Sequence, residues 1–142
     1  MEDRHLCKAR PIGTRKQWVT GFYAVLGEKP VIIVNEPEKF YDVDSGKNSH
    51  GNKIAEVIPN TICQCTAMPD KNGKLIFEND ILSGHIDVGF PEDETRKRVV
   101  WHENGWCTNE LHCDDYEELD DFDSENFEVI GNMIDNPELL EV

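Results

Sequence analysis

Short apolar runs, each ended by a glycine, asparagine or proline turn, follow one another along this chain of 142 residues. The runs WVTGFYAVL (18–26) and VIIV (31–34) are rich in aromatic and β-branched residues and have the length of strands. Long stretches with the apolar spacing of a helix are rare. The sequence therefore predicts a mainly β fold, with an α+β fold as the alternative and a small open barrel as the favoured compact arrangement.

The middle of the chain predicts further short elements. The segment KIAEVIPNTICQCTAM (53–68) is either one strand broken at Pro59 or two short elements, because proline cannot donate in a central ladder. FYDVD (40–44) is a candidate strand, and SGKNSHGN (45–52) is typical of an exposed loop. These patterns predict a short-stranded β subdomain over residues 1–60, with a basic leading segment, and a second subdomain over residues 61–142.

The end of the chain predicts a strand and a helical turn. FEVIGN (127–132) is typical of a closing strand. Asn136 and Pro137 match an N-cap followed by proline at the first helical position, so a short helical turn is expected there. The acidic segment 112–128 before them is compatible with a helix that has an acidic outer face, or with an extended acidic loop.

Two Asn-Gly pairs predict β-hairpins, because a tight two-residue turn needs positive φ at both central residues. The first pair is Asn72 and Gly73. A strict two-residue loop would set Lys71 opposite Lys74, which is unfavourable, so a wider turn stays open as an alternative.

The second pair is Asn104 and Gly105, between VVWH and WCTN. A two-residue loop there sets Glu103 opposite Trp106 and His102 opposite Cys107. A histidine beside a cysteine has the composition of a nucleophile and its base, but no third group or oxyanion site accompanies it. We therefore expect the protein not to be an enzyme.

Ligand loops and metal sites find little support in the sequence. A calcium loop that began at Asp70 would need glycine at its sixth position and glutamate at its twelfth, but these positions are Leu75 and Ile81. A phosphate-binding loop would lead into a helix N-terminus, whereas the residues after Gly73 are typical of a strand. The soft ligands lack the C-x2-C spacing of common zinc sites. These soft ligands are Cys63, Cys65, Cys107, Cys113, His102 and His112. The prediction is small, partly buried thiols with no cofactor and no metal.

The charges are strongly segregated along the chain. Its net charge is −15, and residues 99–142 contain fourteen acidic residues and no lysine or arginine. Such a segment repels nucleic acid and attracts basic partners. Because the repulsion disfavours stacking of tryptophans on bases, core packing is the better interpretation of Trp18 and Trp101. The chain also lacks a long apolar stretch and a secretory leader, so a cytoplasmic location is expected.

Five segments in order resemble the YopX family of phage and prophage proteins. These segments are WVTGFY, EVIPNTICQCTAM, DKNGKLIFENDIL, VVWHENGW and FEVIGNMIDNPELL. The resemblance implies a phage origin, a β-rich fold in which residues 61–132 are similar to an SH3-like barrel, self-association, and no known activity. This chain has Asn79 where the family usually has glycine, and its acidic segment 113–123 is longer and more charged.

Three functions follow as hypotheses, and the first leads. The protein is expected to be a small phage accessory protein that binds a basic partner protein, such as a host nucleic-acid-binding or defence protein, through its acidic segment. The alternatives are an oligomeric module that sequesters a small molecule or nucleotide, and a structural assembly protein. The acidic segment could also be only a solvated charged face with no binding role. The candidate partner-binding residues are Asp114, Asp115, Glu117, Glu118, Asp120, Asp121 and Asp123.

Overall fold

The computed structural model describes residues 5–13, 17–34, 53–86, 89 and 93–141. These residues form antiparallel strands with one short α-helix, which confirms the prediction of a mainly β fold. The chain divides into two compact units, Met1–Gln64 and Cys65–Val142. The predicted strand at 40–44 and the predicted loop at 45–52 lie outside the described residues.

Eleven strands and one α-helix are present in the described residues. The first five strands are β1 (Leu6–Ala9), β2 (Val19–Leu26), β3 (Lys29–Val34), β4 (Lys53–Glu56) and β5 (Cys63–Pro69). They are followed by β6 (Leu75–Phe77), β7 (Asp80–Gly84), β8 (Thr95–His102), β9 (Gly105–Asn109), β10 (Glu117–Glu118), α1 (Asp121–Asn126) and β11 (Phe127–Asn132).

The first unit is an antiparallel sheet whose strands follow the order β4, β3, β2, β1, with the first residues of β5 beside β1. One face of these strands is apolar, because alternate residues of a strand point to the same side. The segment 53–68 forms two strands on either side of the 3-10 helix Pro59–Thr61, so the alternative of two separate elements is confirmed. The core of this unit is Ala9, Val19, Ile32, Val34, Ala55 and Val57.

The second unit contains a five-stranded antiparallel sheet with the order β10, β9, β8, β7, β11. Its first and last strands are not hydrogen-bonded to each other within the described residues, so the barrel expected for residues 61–132 stays a prediction. The expected closing strand is present as β11, and the expected terminal helical turn is the 3-10 helix Pro137–Glu141. The core of this unit is Ile76, Leu82, Val99, Leu119 and Phe127.

The turn at 70–74 is the wider of the two predicted forms, because Pro69 pairs with Leu75. Asp70 is buried, and its carboxylate accepts hydrogen bonds from the backbone amides of Asn72, Lys74 and Val129, each 2.9 Å long. This carboxylate is used by the main chain around it, which is the role of a turn residue. After β6, Asn79 has φ of 71°, a conformation that asparagine tolerates better than most residues.

The second hairpin has a different register from the predicted one. His102 pairs with Gly105, so Glu103 and Asn104 form the loop and Glu103 has φ of 57°. The predicted pairing of His102 with Cys107 is wrong, since Cys107 lies opposite Val100. The observed register sets buried Val99 opposite Thr108, whereas the predicted one would have set it opposite the carboxylate of Glu110.

Candidate functional site

Six of the seven predicted partner-binding carboxylates lie on one exposed segment of the second unit. Two of them precede β10, two form β10, and two begin α1. All six residues are exposed. We refer to them as the acidic edge, and they are Asp114, Asp115, Glu117, Glu118, Asp120 and Asp121.

The backbone of the acidic edge is held by hydrogen bonds just before the edge and within it. Before it, the side-chain amide of Asn109 donates to the carbonyl of Cys113 (2.8 Å). Within it, the Leu119 amide donates to the carbonyl of Trp106 (2.9 Å), and the Leu119 side chain is buried in the core. The carboxylates are therefore carried on a hydrogen-bonded backbone.

Asp123 does not belong to the acidic edge, because it is buried. Its carboxylate forms an ion pair with the ammonium group of Lys97, which also lies 4.3 Å from the centre of the Phe127 ring. Asp123 and Asp120 also form a reciprocal capping box at the start of α1. The structure therefore gives Asp123 a role inside the fold, and the acidic edge is defined without it.

The positive charges of β8 are engaged away from the acidic edge. Lys97 pairs with Asp123, Arg96 bonds Glu94 and the carbonyl of Leu139, and Arg98 donates to the side chain of Asn109. Within the described part of the chain, no ion pair joins a cation to one of the six edge carboxylates. The negative charge of the edge is therefore not neutralised by the described cations.

Aromatic rings lie beside this segment. Tyr116, between the carboxylates, stacks on His102 with ring centroids 3.8 Å apart and planes 3° apart. Trp101 packs edge to face on Trp106 at 5.1 Å. Trp101 is 54% exposed, so the prediction of core packing is wrong for this residue, which lies next to the hairpin loop.

Trp18 is half-buried in the first unit. Lys8 and Arg10 lie over its ring, 5.1 and 5.6 Å from the centroid. These distances are those of cation–π contacts. Trp18 therefore holds two cations of the basic leading segment in place, a role that its sequence pattern did not predict.

The environment of the half-buried Cys107 thiol disfavours the thiolate form that a nucleophile needs. Burial raises its pKa above the ordinary value, and the nearby carboxylates of Glu118 and Glu103 raise it further. The thiol is therefore protonated at neutral pH, and His102 is not its cross-strand neighbour. Among the described contacts, no hydrogen bond joins the Cys107 thiol to the His102 ring, as a nucleophile and its base would require.

The candidate soft ligands are not brought together either. Cys63 and Cys65 are both buried; the Cys63 thiol donates to the carbonyl of Thr61, and the Cys65 sulfur accepts from the amide of Ala67. Among the residues that the structure describes, no three His, Cys, Asp or Glu side chains are arranged to hold a metal ion.

A cleft of about 720 Å³ opens at the end of β9 in the second unit. It is lined by acidic and apolar residues, and its one arginine, Arg96, already bonds Glu94. The lining residues are Glu94, Thr95, Arg96, Glu110, Leu111, His112, Leu140 and Glu141.

Comparison with known proteins places the chain in a family. The family model described as YopX protein matches residues 27–141 of the sequence. The match covers most of the chain, so this protein belongs to the YopX family. A search of curated proteins returns no match. Within the described residues, no helix combines the length and the apolar character needed to cross a membrane.

Proposed function

We propose that this protein is a small, phage-encoded accessory protein that binds a partner protein with a basic surface through the acidic edge. The observation that carries the proposal is the set of six exposed carboxylates on a hydrogen-bonded backbone, without ion pairs to the described cations. Charges arranged in this way steer a basic partner and raise its rate of association. The proposed setting is the cytoplasm of the bacterial host.

The partner that this surface suits is a host nucleic-acid-binding or defence protein, which the phage protein would inhibit. Along an extended chain, successive residues rise by roughly 3.3 Å, close to the roughly 3.4 Å of helix axis that corresponds to each phosphate of one DNA strand. Six of the eight residues at 114–121 are carboxylates. The edge therefore has a linear charge density similar to that of a nucleic-acid strand, and a protein that binds phosphates could bind it.

Sequestration of a small molecule or nucleotide remains the second hypothesis, but the cleft gives it no support for anions. Glu94, Glu110 and Glu141 line this cleft, and carboxylates repel the phosphates of a nucleotide. Structural assembly is a third hypothesis, on which the contacts within one chain have no bearing.

The proposal is tested by recovering partners from bacterial lysate on three forms of the immobilised protein. The first is the natural protein, and the second has Asp114→Asn, Asp115→Asn, Glu117→Gln and Glu118→Gln. A matched control neutralises exposed carboxylates elsewhere with Glu28→Gln, Asp93→Asn, Glu125→Gln and Glu138→Gln.

The natural protein and the matched control are expected to retain the same basic protein at low salt and to release it at high salt. The edge variant is expected to retain none. If no basic or nucleic-acid-binding protein is recovered, or if all three forms retain it equally, the proposal is wrong.

A further inference from the structure

The acidic edge is also an open edge of a β-sheet. Strand β10 is the first strand in the order β10, β9, β8, β7, β11, and its only strand partner in the described residues is β9. The amide of Leu119 donates towards β9, to the carbonyl of Trp106. Backbone groups of successive residues in a strand point to opposite sides. Those of Glu118 and Tyr116 therefore point away from the sheet.

The opposite edge of the same sheet is covered. The carbonyl of Phe127 in β11 accepts from the amide of Lys71 (2.9 Å), and the amide of Val129 donates to the carboxylate of Asp70 (2.9 Å). No comparable hydrogen bond reaches the outer side of Tyr116 or Glu118 among the described contacts. Among the residues that the structure describes, this sheet therefore has one covered edge, at β11, and one available edge, at β10.

Charge selects what can pair with the available edge. A second copy of β10 would set glutamates opposite glutamates, and like charges directly opposite one another destabilise a strand pair. Charged residues on an edge strand are also a known protection against self-pairing. A strand that carries lysine or arginine would pair favourably, because its cations would lie opposite the edge carboxylates.

We propose that β10 accepts an extended, basic segment of the partner protein as an additional strand, with main-chain hydrogen bonds to Tyr116 and Glu118. This inference rests on the proposed function and specifies its mode of binding, which is strand addition at a sheet edge. Main-chain bonds supply affinity in this mode, and the side chains of the added strand supply selectivity.

The two faces of β10 define the side chains that the added strand would carry. Glu118 lies opposite Cys107, and Tyr116 has the same orientation two residues earlier. Tyr116 is 39% exposed and stacks on His102, so a cation beside Glu118 also meets an aromatic ring. Glu117 points to the other face, opposite Thr108. A basic side chain on either face of the added strand therefore lies beside a carboxylate.

Two synthetic peptides of equal charge test this inference on the full chain. One alternates lysine and threonine, and the other has the same sequence with an N-methyl group on every residue, which removes the amide donors of both of its edges. The unmodified peptide is expected to slow hydrogen exchange at the amides of Tyr116 and Glu118. It should also bind about fivefold tighter or more, the factor that roughly 1 kcal/mol of net hydrogen bonding gives.

Two substitutions at one position separate the backbone from the charge. Glu118→Pro removes an amide that does not donate to β9, and proline is tolerated on the solvent side of an edge strand. Glu118→Gln removes the charge and keeps the amide. The proline variant is expected to lose the preference for the unmodified peptide, and the glutamine variant is expected to keep it. The comparison of the two peptides on the natural protein applies even if the proline variant does not fold.

Equal affinity for the two peptides, with strong salt dependence, would overturn strand addition and leave the proposed electrostatic function in place. Slow hydrogen exchange at the Tyr116 and Glu118 amides without any peptide, together with a dimer in sedimentation, would also overturn it. That result would show that a second copy of the chain pairs with β10. Absence of binding by both peptides would also overturn it. Failure of the proposed function itself is detected separately, by the lysate experiment with the edge and control variants.

Discussion

Lys97 and Asp123 form an ion pair inside the second unit, where the side chains of the two residues are 8% and 5% exposed. Asp123 is also part of the capping box of α1, whose first residue is Asp121 of the acidic edge. The pair therefore fixes the helix at the end of the edge and keeps the positive charge of Lys97 away from the exposed carboxylates. A buried charge that loses its partner is strongly destabilising.

Asp123→Ala is expected to lower the free energy of unfolding by about 3–5 kcal/mol, because it leaves Lys97 buried without its counter-charge. Urea unfolding followed by tryptophan fluorescence measures the change. The matched control is Asp121→Ala, which removes an exposed carboxylate from the same helix and should cost less than about 1 kcal/mol. Equal effects of the two substitutions would contradict the role given to the ion pair.

Asp70→Ala is expected to destabilise the protein by about 3 kcal/mol, because three backbone amides lose their acceptor and hydrogen bonds to charged groups are strong. The same unfolding measurement applies. Asn72→Ala, in the same turn, removes one exposed side-chain bond to Glu128 and should change stability by less than about 0.5 kcal/mol. A small effect of Asp70→Ala would show that the turn does not depend on this carboxylate.

Glu94 provides a test of pH dependence. Its hydrogen bond to Arg96, assisted by one to Ser83, holds the pKa of Glu94 below its ordinary value of 4.5. A lowered pKa in the folded state means that the contribution to stability is present above the ordinary pKa. That contribution is lost as the pH falls through the lowered value.

Arg96→Gln is therefore expected to move the pKa of Glu94 up towards 4.5 and to weaken the stabilising effect of raising the pH in this range. Carbon-13 NMR of the Glu94 carboxyl group measures the titration. Arg98→Gln is the control, because Arg98 bonds Asn109 and should leave this titration unchanged. A shift of equal size in both variants would argue against the assigned contact.

Cys107 tests the orientation of β10. Glu118 is one of the charges that raise the pKa of the Cys107 thiol, after burial itself. Glu118→Gln should lower that pKa and speed alkylation of Cys107 at mildly alkaline pH, roughly twofold for a partly screened charge. Mass spectrometry of the Cys107 peptide gives the rate. Glu117→Gln should have no such effect, since Glu117 lies on the other face of the strand.

The sequence predicted most of the strands and failed at one register. The strands β2, β3 and β11 followed from apolar runs bounded by turn residues. The 3-10 helix after Asn136 followed from the N-cap pattern of Asn136 and Pro137. At the second hairpin, the local preference of Asn-Gly for the loop was outweighed by packing. The observed register gives Trp101 an edge-to-face contact with Trp106 and keeps Val99 away from Glu110.

The distribution of charge along the sequence predicted where the candidate site lies. It did not predict which of the carboxylates are exposed and which one is buried. The sequence left segment 112–128 as either a helix or an extended loop, and the capping box of Asp120 and Asp123 marks the start of α1 in the structure. The burial of Asp123 depends on Lys97, 26 residues earlier, and local patterns do not show such a contact. The open side of β10 depends on the strand order, which only the folded chain supplies.

The most direct test of the central claim is the affinity of the recovered basic partner for the natural protein, the edge variant and the matched control. Titrations are compared at roughly 0.05 M and 0.5 M salt, between which the screening length shortens severalfold. The account predicts that the edge variant binds at least about tenfold more weakly at low salt, as expected for loss of a complementary charged surface, and that high salt removes the difference. Equal affinity of the edge variant and the matched control at low salt would contradict it.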